Sequence, residues 1–359
     1  NLYQGEDILG SEIKDLSQLP PPYEFEDGIY PVVVDNGYAQ QKCAYWANVE
    51  GKKTRVNFIV PSRAQMGRIN VDVHGEASGV YTVSGSDYTV AADIREPEVM
   101  RSKNYAFSEI NCALVHHTLV LAGFGGKKVR LATGLPFSHY FRNRSVDETF
   151  VQKVKSSLLQ PCESAVGKAM PEIISHTIYP ESTAAAVSYA YNEETGDLKS
   201  FENGLVVIDM GGGTTDITIV NGDFTLDMDL SGSRQLGVID IRESLRTAIE
   251  AAFDVSGMTD KQLDLALRSG EFKLYGEPKD ITSLIDSSTQ LTVKKLSTLL
   301  SEPIGEGAFL DDILFVGGGA QILSEAFKDR YQQAHVPAEA EFENANGMLD
   351  YMILTNQAA

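Results

Sequence analysis

The chain is poor in cysteine, tryptophan and basic residues. Of 359 residues, three are Cys and one is Trp, and 30 Lys and Arg stand against 50 Asp and Glu. Cys43, Cys112 and Cys162 are odd in number and far apart in sequence. That argues against a disulfide framework and against a cysteine-based zinc site. The formal net charge of −20 argues against direct contact with nucleic acid or an anionic membrane, because both require a positive surface. Long apolar runs are also missing. The richest stretch, residues 113–124, contains His116 and His117 and is too short to span a bilayer. No basic-then-apolar leader opens the sequence. What is present is a normal globular share of hydrophobic residues, 43%, over a length that suggests about two domains. An acidic, soluble protein of a reducing, cytoplasmic compartment is expected.

Residues 1–28 differ from the rest. Asn1-Leu2-Tyr3-Gln4-Gly5 resembles a protease tag scar. Pro20-Pro21-Pro22 and the acidic Glu24, Glu26 and Asp27 follow, and the segment as a whole carries a net −6. A short, proline-containing acidic stretch is expected to lie outside the core.

From Ile29 onwards the pattern is regular. Tyr30-Pro31-Val32-Val33-Val34 reads as a buried strand running into Asp35-Asn36-Gly37, with further strands at 43–46 and 56–60. Residues 72–95 alternate Val, Tyr, Thr and charge between glycines, which suggests a small strand-rich insertion at about 60–100. Helical spacing appears at 108–123, 148–159 and 164–172, with a strand at 129–132. The second half repeats the theme. Gly204-Leu205-Val206-Val207-Ile208-Asp209 enters Gly211-Gly212-Gly213, and 215–220 returns as a strand. Helices are expected at 241–253, 261–268 and 291–300. Ile313-Leu314-Phe315-Val316 then enters Gly317-Gly318-Gly319, with a helix from Gln321. Two halves that each open on an apolar strand, an Asp and a glycine turn fit an internal duplication.

These strand-to-glycine turns share one chemical rationale. Glycine lets backbone N–H groups approach a polyphosphate closely, and the amides point at its oxygens. A carboxylate in the same place would repel phosphate unless a cation intervenes, so Asp35 and Asp209 imply Mg²⁺ held largely through water. Neither the Walker A pattern nor Gly-x-Gly-x-x-Gly after the first strand is present. A nucleotide would be clamped between two hairpins. The histidines do not suggest a metal: His116 and His117 are adjacent on the expected helix and point about 100° apart.

The motifs resemble those of the actin, DnaK-chaperone and sugar-kinase superfamily. Val34-Asp35-Asn36-Gly37 with Lys42 looks like its first phosphate loop, and Ile208 to Asp216 (Ile-Asp-Met-Gly-Gly-Gly-Thr-Thr-Asp) like its second. Val316-Gly317-Gly318-Gly319-Ala320 resembles its adenosine motif, and Tyr179-Pro180-Glu181-Ser182-Thr183 the segment carrying the hydrolytic glutamate. Within the superfamily the likeness is greatest to ParM/StbA-type plasmid-segregating bacterial actins. It extends to residues 111–123, 131–141, Gln235-Leu236-Gly237-Val238 and Asn346-Gly347-Met348.

The resemblance implies an α/β, actin-like ATPase fold of two duplicated ribonuclease-H-like domains flanking a nucleotide cleft. Domain I would span 29–178, domain II 179–339, and 340–359 would return to domain I. It implies ATP/ADP and Mg²⁺ as cofactors. Asp35, Asn36, Gly37, Lys42, Gly211, Gly212, Gly213, Thr214, Thr215, Gly237, Gly317, Gly318 and Gly319 would bind nucleotide. Asp35 and Asp209 would organise Mg²⁺-bound water. Glu181, with Asp209, would be catalytic, and Glu181 also suits a helix start. Glu271 and Lys273 are candidates near the ribose. Tyr38 stands where eukaryotic actins place a Ser, so the Ser hydroxyl that could bond the γ-phosphate is absent from that loop.

The implied function is an ATPase that assembles head to tail into dynamic filaments and reaches plasmid DNA through a basic adaptor of the ParR type. Direct contact with nucleic acid or membrane is not expected. The alternative is a membrane-associated shape or division scaffold of the MreB/FtsA type, which usually carries an amphipathic or apolar anchor; neither end of this sequence shows one.

Overall fold

The computed structural model describes residues 11–12, 14–69, 79–95, 97–192 and 194–355. The tag-like start, His74 and part of the 72–95 stretch lie outside the described residues. The chain divides into two compact units. The first comprises Asn1–Ala91, Glu98–Ser200 and Phe342–Ala359, and the second Ala92–Pro97 and Phe201–Glu341.

The first unit is built on a six-stranded sheet. Ile29–Asn36 pairs antiparallel with Gln40–Val49, which pairs antiparallel with Lys52–Pro61. On its other side Ile29–Asn36 runs parallel to Lys128–Leu135, which runs parallel to Glu172–Pro180. The unbroken Val32-Val33-Val34 run reflects burial on both faces. Val32 and Val34 pack with Tyr45, Phe58, Phe124 and the helix Glu109–Leu121. Val33 faces the opposite way, onto Ala132, Ala184, Met348 and Leu349. Ser108 caps the Glu109–Leu121 helix by accepting from the Asn111 N–H at 3.1 Å.

Three departures from the sequence reading occur in this unit. The acidic leader belongs to the fold from residue 14 onwards. Asn48 N–H donates to Pro21 O at 2.8 Å and Tyr23 N–H to Trp46 O at 2.9 Å, while Leu16, Leu19 and Phe25 pack on the core. Its charge is met by Lys127 and Arg130, each 3.1 Å from Glu24 and Asp27 respectively. Residues 164–172 are not helical. Gly167 turns at φ +73° and Pro171 blocks helix continuation, so Cys162–Ser164 forms a strand instead. That strand joins Val80–Val83, Ser86–Val90 and Ala64–Met66 in a four-stranded sheet, the expected insertion completed by a distant segment. Finally, the change of unit comes at 200/201 rather than 178/179. The helix Thr183–Ala190 stays with the first unit because it packs against Glu343–Leu354.

The second unit repeats the hairpin-plus-parallel-strand arrangement. Leu205–Met210 pairs antiparallel with Thr215–Val220 and parallel with Asp312–Val316. Gly232–Arg234 and Ala334–His335 complete a five-stranded sheet. Val206, Ile208, Phe315, Leu296 and Leu323 form the core between this sheet and the helices Thr282–Ser301 and Ala320–Phe327. The helices Val238–Phe253 and Asp260–Ser269 add a smaller cluster around Leu245, Ile249 and Leu263. Among the described residues no helix is long and apolar enough to cross a membrane.

His176 is buried in the Glu172–Pro180 strand with Nε2 2.8 Å from Thr133 Oγ1. Burial pulls its pKa down to about 4. The unfolded chain binds a proton near pH 6.5 that the fold excludes, so stability falls as pH drops from about 6.5 towards 4. Urea unfolding is expected to weaken across this window. His176→Gln should flatten the slope by at most about 1.4 kcal/mol per pH unit; an identical slope in the variant would contradict the assignment.

Candidate functional site

In the second unit the apolar strand Leu205–Met210 ends at Asp209, directly opposite Asp216 across the hairpin. Both carboxylates are buried, 5% and 2% exposed. The turn between them closes with Gly211 N–H on Thr214 O at 2.9 Å. Its carbonyls face the start of the Val238–Phe253 helix: Val238 N–H donates to Gly211 O at 3.1 Å and Ile239 N–H to Gly212 O at 2.9 Å. With the carbonyls so engaged, the N–H groups of Gly212, Gly213 and Thr214 have no acceptor among the described residues. Consecutive open N–H groups of this kind form an anion-binding nest.

Two further glycines are dictated by close approach. A Cβ on Gly237 would stand 2.7 Å from Gly211 O. Gly317 has φ +81°, and a Cβ there would meet Met210 O at 2.6 Å and collide with Asp209 Oδ1. Because Leu205–Met210 and Asp312–Val316 are parallel, Asp209, Gly211–Thr215, Gly237 and Gly317–Gly319 gather at one sheet edge. Thr215 Oγ1 donates to Leu236 O at 2.7 Å and ties the returning strand to the segment before the helix. Gly318 is exposed at the tip of its turn, between two buried glycines.

The first unit presents a second set. Asp35 and Lys42 are directly paired across the Ile29–Asn36/Gln40–Val49 hairpin, 5% and 7% exposed. Buried charges survive only when paired or ligated. Asn36 Nδ2 donates to Asn111 Oδ1 at 3.1 Å, and Asn36 Oδ1 is buried without a partner among the described residues. The Gly37 carbonyl accepts from Ser62 Oγ at 2.8 Å, and Gln41 Nε2 donates to Ser62 Oγ at 2.8 Å and to Tyr105 OH at 2.9 Å. Tyr38 packs on Tyr105 with ring centroids 5.6 Å apart. The residue that replaces a serine hydroxyl is thus a clasp holding the turn to the core.

Glu181 follows the Glu172–Pro180 strand at the same sheet edge, and its N–H donates to Leu135 O at 2.8 Å. Its side chain lies over Gly134, where a Cβ would be 2.9 Å from Glu181 Cγ and 2.7 Å from Met348 Cε. Ser182 adopts φ +58°, a left-handed conformation costly for a non-glycine residue. Its N–H is held by Asn344 Oδ1 at 2.8 Å. Glu181 precedes the Thr183–Ala190 helix rather than forming its first turn. Thr183 Oγ1 is buried without a partner among the described residues.

The structure therefore brings Asp35, Asn36, Gly37, Lys42 and Glu181 to one edge of the first unit's sheet. It brings Asp209, the 211–215 turn, Gly237 and the 317–319 turn to one edge of the second's. Glu271 and Lys273 are placed elsewhere, in a groove of about 820 Å³ lined also by Leu265, Phe272 and Tyr275, to which none of the turns at 35–37, 211–215 and 317–319 contributes. Asp216, Gln41, Asn111 and Asn344 join the sites without having been singled out from sequence. Asp216 closes the motif that flagged Asp209, whereas the partners of the other three are remote in sequence. The donor set fits Mg²⁺ and phosphate: oxygen ligands on Asp209 and Asp216 for a hard cation, and open N–H groups beside them for an anion.

Two family models match the chain. Residues 30–192 match the N-terminal domain of the plasmid segregation protein ParM, and residues 207–329 the C-terminal domain of the archaeal MreB-like actin homologue. A search of curated proteins finds no match. Among solved structures, the archaeal actin homologue Ta0583 in complex with ADP is 19% identical, with 90% of this chain and 99% of that chain covered at a TM-score of 0.70. A non-polymerisable mutant of pCBH ParM is 20% identical, over 90% and 98%, at 0.69. A subunit of a 15-stranded ParM filament from Clostridium botulinum is 19% identical, over 90% and 98%, at 0.68. The fold is actin-like, α/β, with a sheet in each of two units.

The mooring of Glu181 rests on the contact between Thr183–Ala190 and Glu343–Leu354, where a Cβ on Gly347 would drive into Ala184 O. Replacing an exposed helical glycine by alanine stabilises by about 1 kcal/mol. Gly347→Ala is expected to do the reverse, lowering stability by about 2 to 3 kcal/mol in urea denaturation. An unchanged or raised midpoint would show that the helices are not so tightly apposed.

Proposed function

We propose that this chain is an actin-like ATPase that forms ATP-dependent filaments and segregates plasmid DNA through a basic adaptor of the ParR type. The observation that carries the nucleotide reading is the Gly212–Thr214 nest beside two buried carboxylates. The filament and plasmid readings are supported by the ParM family model and by likeness to the botulinum filament subunit.

In this reading Lys42 meets the β- and γ-phosphates as a point charge, and the 211–215 turn donates its open N–H groups to phosphate oxygens. Gly237 and Gly317–Gly319 leave room for the adenosine. Asp35 and Asp209 would hold Mg²⁺, with Asp216 adding charge beside Asp209. When bound, the cation neutralises the charge that develops on the phosphates. Glu181 orients water in line with the γ-phosphorus, giving ADP and phosphate. Asn344 and Gly134 position that carboxylate from behind.

A net charge of −20 favours a basic protein, rather than DNA itself, as the direct partner; cytoplasmic activity is part of the same reading. The MreB-like model over residues 207–329 favours a second reading, a membrane-associated scaffold. Cosedimentation with anionic vesicles separates the two: the scaffold requires vesicle binding and the plasmid reading does not.

ATP with Mg²⁺ should drive the protein into the pellet at tens of micromolar, and ADP should release it. Absence of ATP-dependent sedimentation would sink the filament reading. Glu181→Ala should still assemble but release phosphate about 100-fold more slowly, the lower end of what a positioned proton-accepting group contributes. Undiminished turnover would remove the role given to Glu181.

A further inference from the structure

Away from both turns, the first unit gathers two of its three cysteines and a histidine. Cys112 and His116 stand one turn apart on the same face of the helix Glu109–Leu121. Cys162 opens the strand Cys162–Ser164 at the end of the small sheet, paired with Val83. One ligand atom from each of the three lies within 4.8 Å of the others, and Cys112 Sγ is 3.5 Å from His116 Nδ1. All three residues are buried. A tetrahedral zinc site, with bonds of about 2.3 Å to sulfur and about 2.0 Å to nitrogen, separates its ligand atoms by roughly 3.5 to 3.8 Å. The cluster needs to contract by about an ångström at most.

We propose that Cys112, His116 and Cys162 form a structural site for one Zn²⁺, which fastens the edge strand of the small sheet to the helix beneath it. Two sulfurs and an imidazole are the donors that a borderline-soft cation prefers. The Cys112 carbonyl lies 2.8 Å from the same nitrogen, His116 Nδ1, so metal binding there exchanges that hydrogen bond for a bond to the ion. Gln160 Oε1 accepts from the exposed Ser84 Oγ at 2.9 Å, so the fourth position would be filled by water. The sequence reading set aside a cysteine-based site because the thiols are far apart along the chain. The fold removes that separation for Cys112 and Cys162 but not for Cys43, which lies on the Gln40–Val49 strand.

Cobalt substitution tests the proposal on the reduced, chelator-stripped full chain. One equivalent of Co²⁺ should give tetrahedral d–d bands and a thiolate-to-cobalt charge-transfer band, both erased by one equivalent of Zn²⁺. Cys162→Ser and His116→Asn should each weaken binding by about 100-fold or more, and Cys43→Ser should leave the spectrum intact. Zn²⁺ should also raise the unfolding temperature of the unaltered chain, a readout that does not depend on the variants folding. No tetrahedral spectrum from the folded chain, no thermal shift, a spectrum that survives Cys162→Ser, or a Cys112–Cys162 disulfide persisting in zinc-treated protein would each overturn the site.

Discussion

Parallel pairing of strands is the constraint from which the rest follows. Ile29–Asn36, Lys128–Leu135 and Glu172–Pro180 run in one direction, as do Leu205–Met210 and Asp312–Val316. Parallel strands need helical crossovers and burial on both faces, which explains why the Val32–Val34 run is apolar without alternation. Within each sheet the same alignment places the carboxyl ends along one edge, where ligands of α/β sheets are met. Asp35 and Glu181 reach that edge from two strands of one sheet, and Asp209 and Gly317 from two strands of the other.

Close backbone approach then decides the residue types. Gly237 and Gly317 are required because backbone oxygens, and at Gly317 the Asp209 carboxylate, already occupy the space of a side chain. Gly134 and Gly347 play the corresponding part for Glu181, one beneath its side chain and one where its supporting helices cross. Ser182 holds a strained φ of +58°, and the bond from its N–H to Asn344 ties this strain to the final helix. The Glu181 carboxylate is thus positioned by segments distant in the chain, and the open N–H groups of Gly212–Thr214 by a turn and the helix that follows it.

The hairpins were legible in the sequence because each is a local signal: an apolar run, an Asp and a glycine within a dozen residues. Legible too were the helices Glu109–Leu121 and Val238–Phe253, whose spacing repeats over several turns. The acidic leader was misread because composition reports charge and not partners; Lys127 and Arg130 lie far along the chain. Residues 164–172 carried helical spacing that Gly167 and Pro171 override. Nothing local marks Cys162 as a neighbour of Cys112, or Asn344 as a partner of Ser182. Those contacts are made by sheet pairing and helix packing between distant segments, which spacing along one segment does not encode.

Calorimetric titration of ATP into the full chain tests the proposed Mg²⁺-dependent nucleotide binding most directly. One nucleotide should bind per chain with Mg²⁺ present. The affinity should fall by about 100-fold or more in Gly317→Ala, where the new methyl displaces Asp209, and in Lys42→Ala. Binding that is absent from the unaltered chain, or unchanged in both variants, would contradict it.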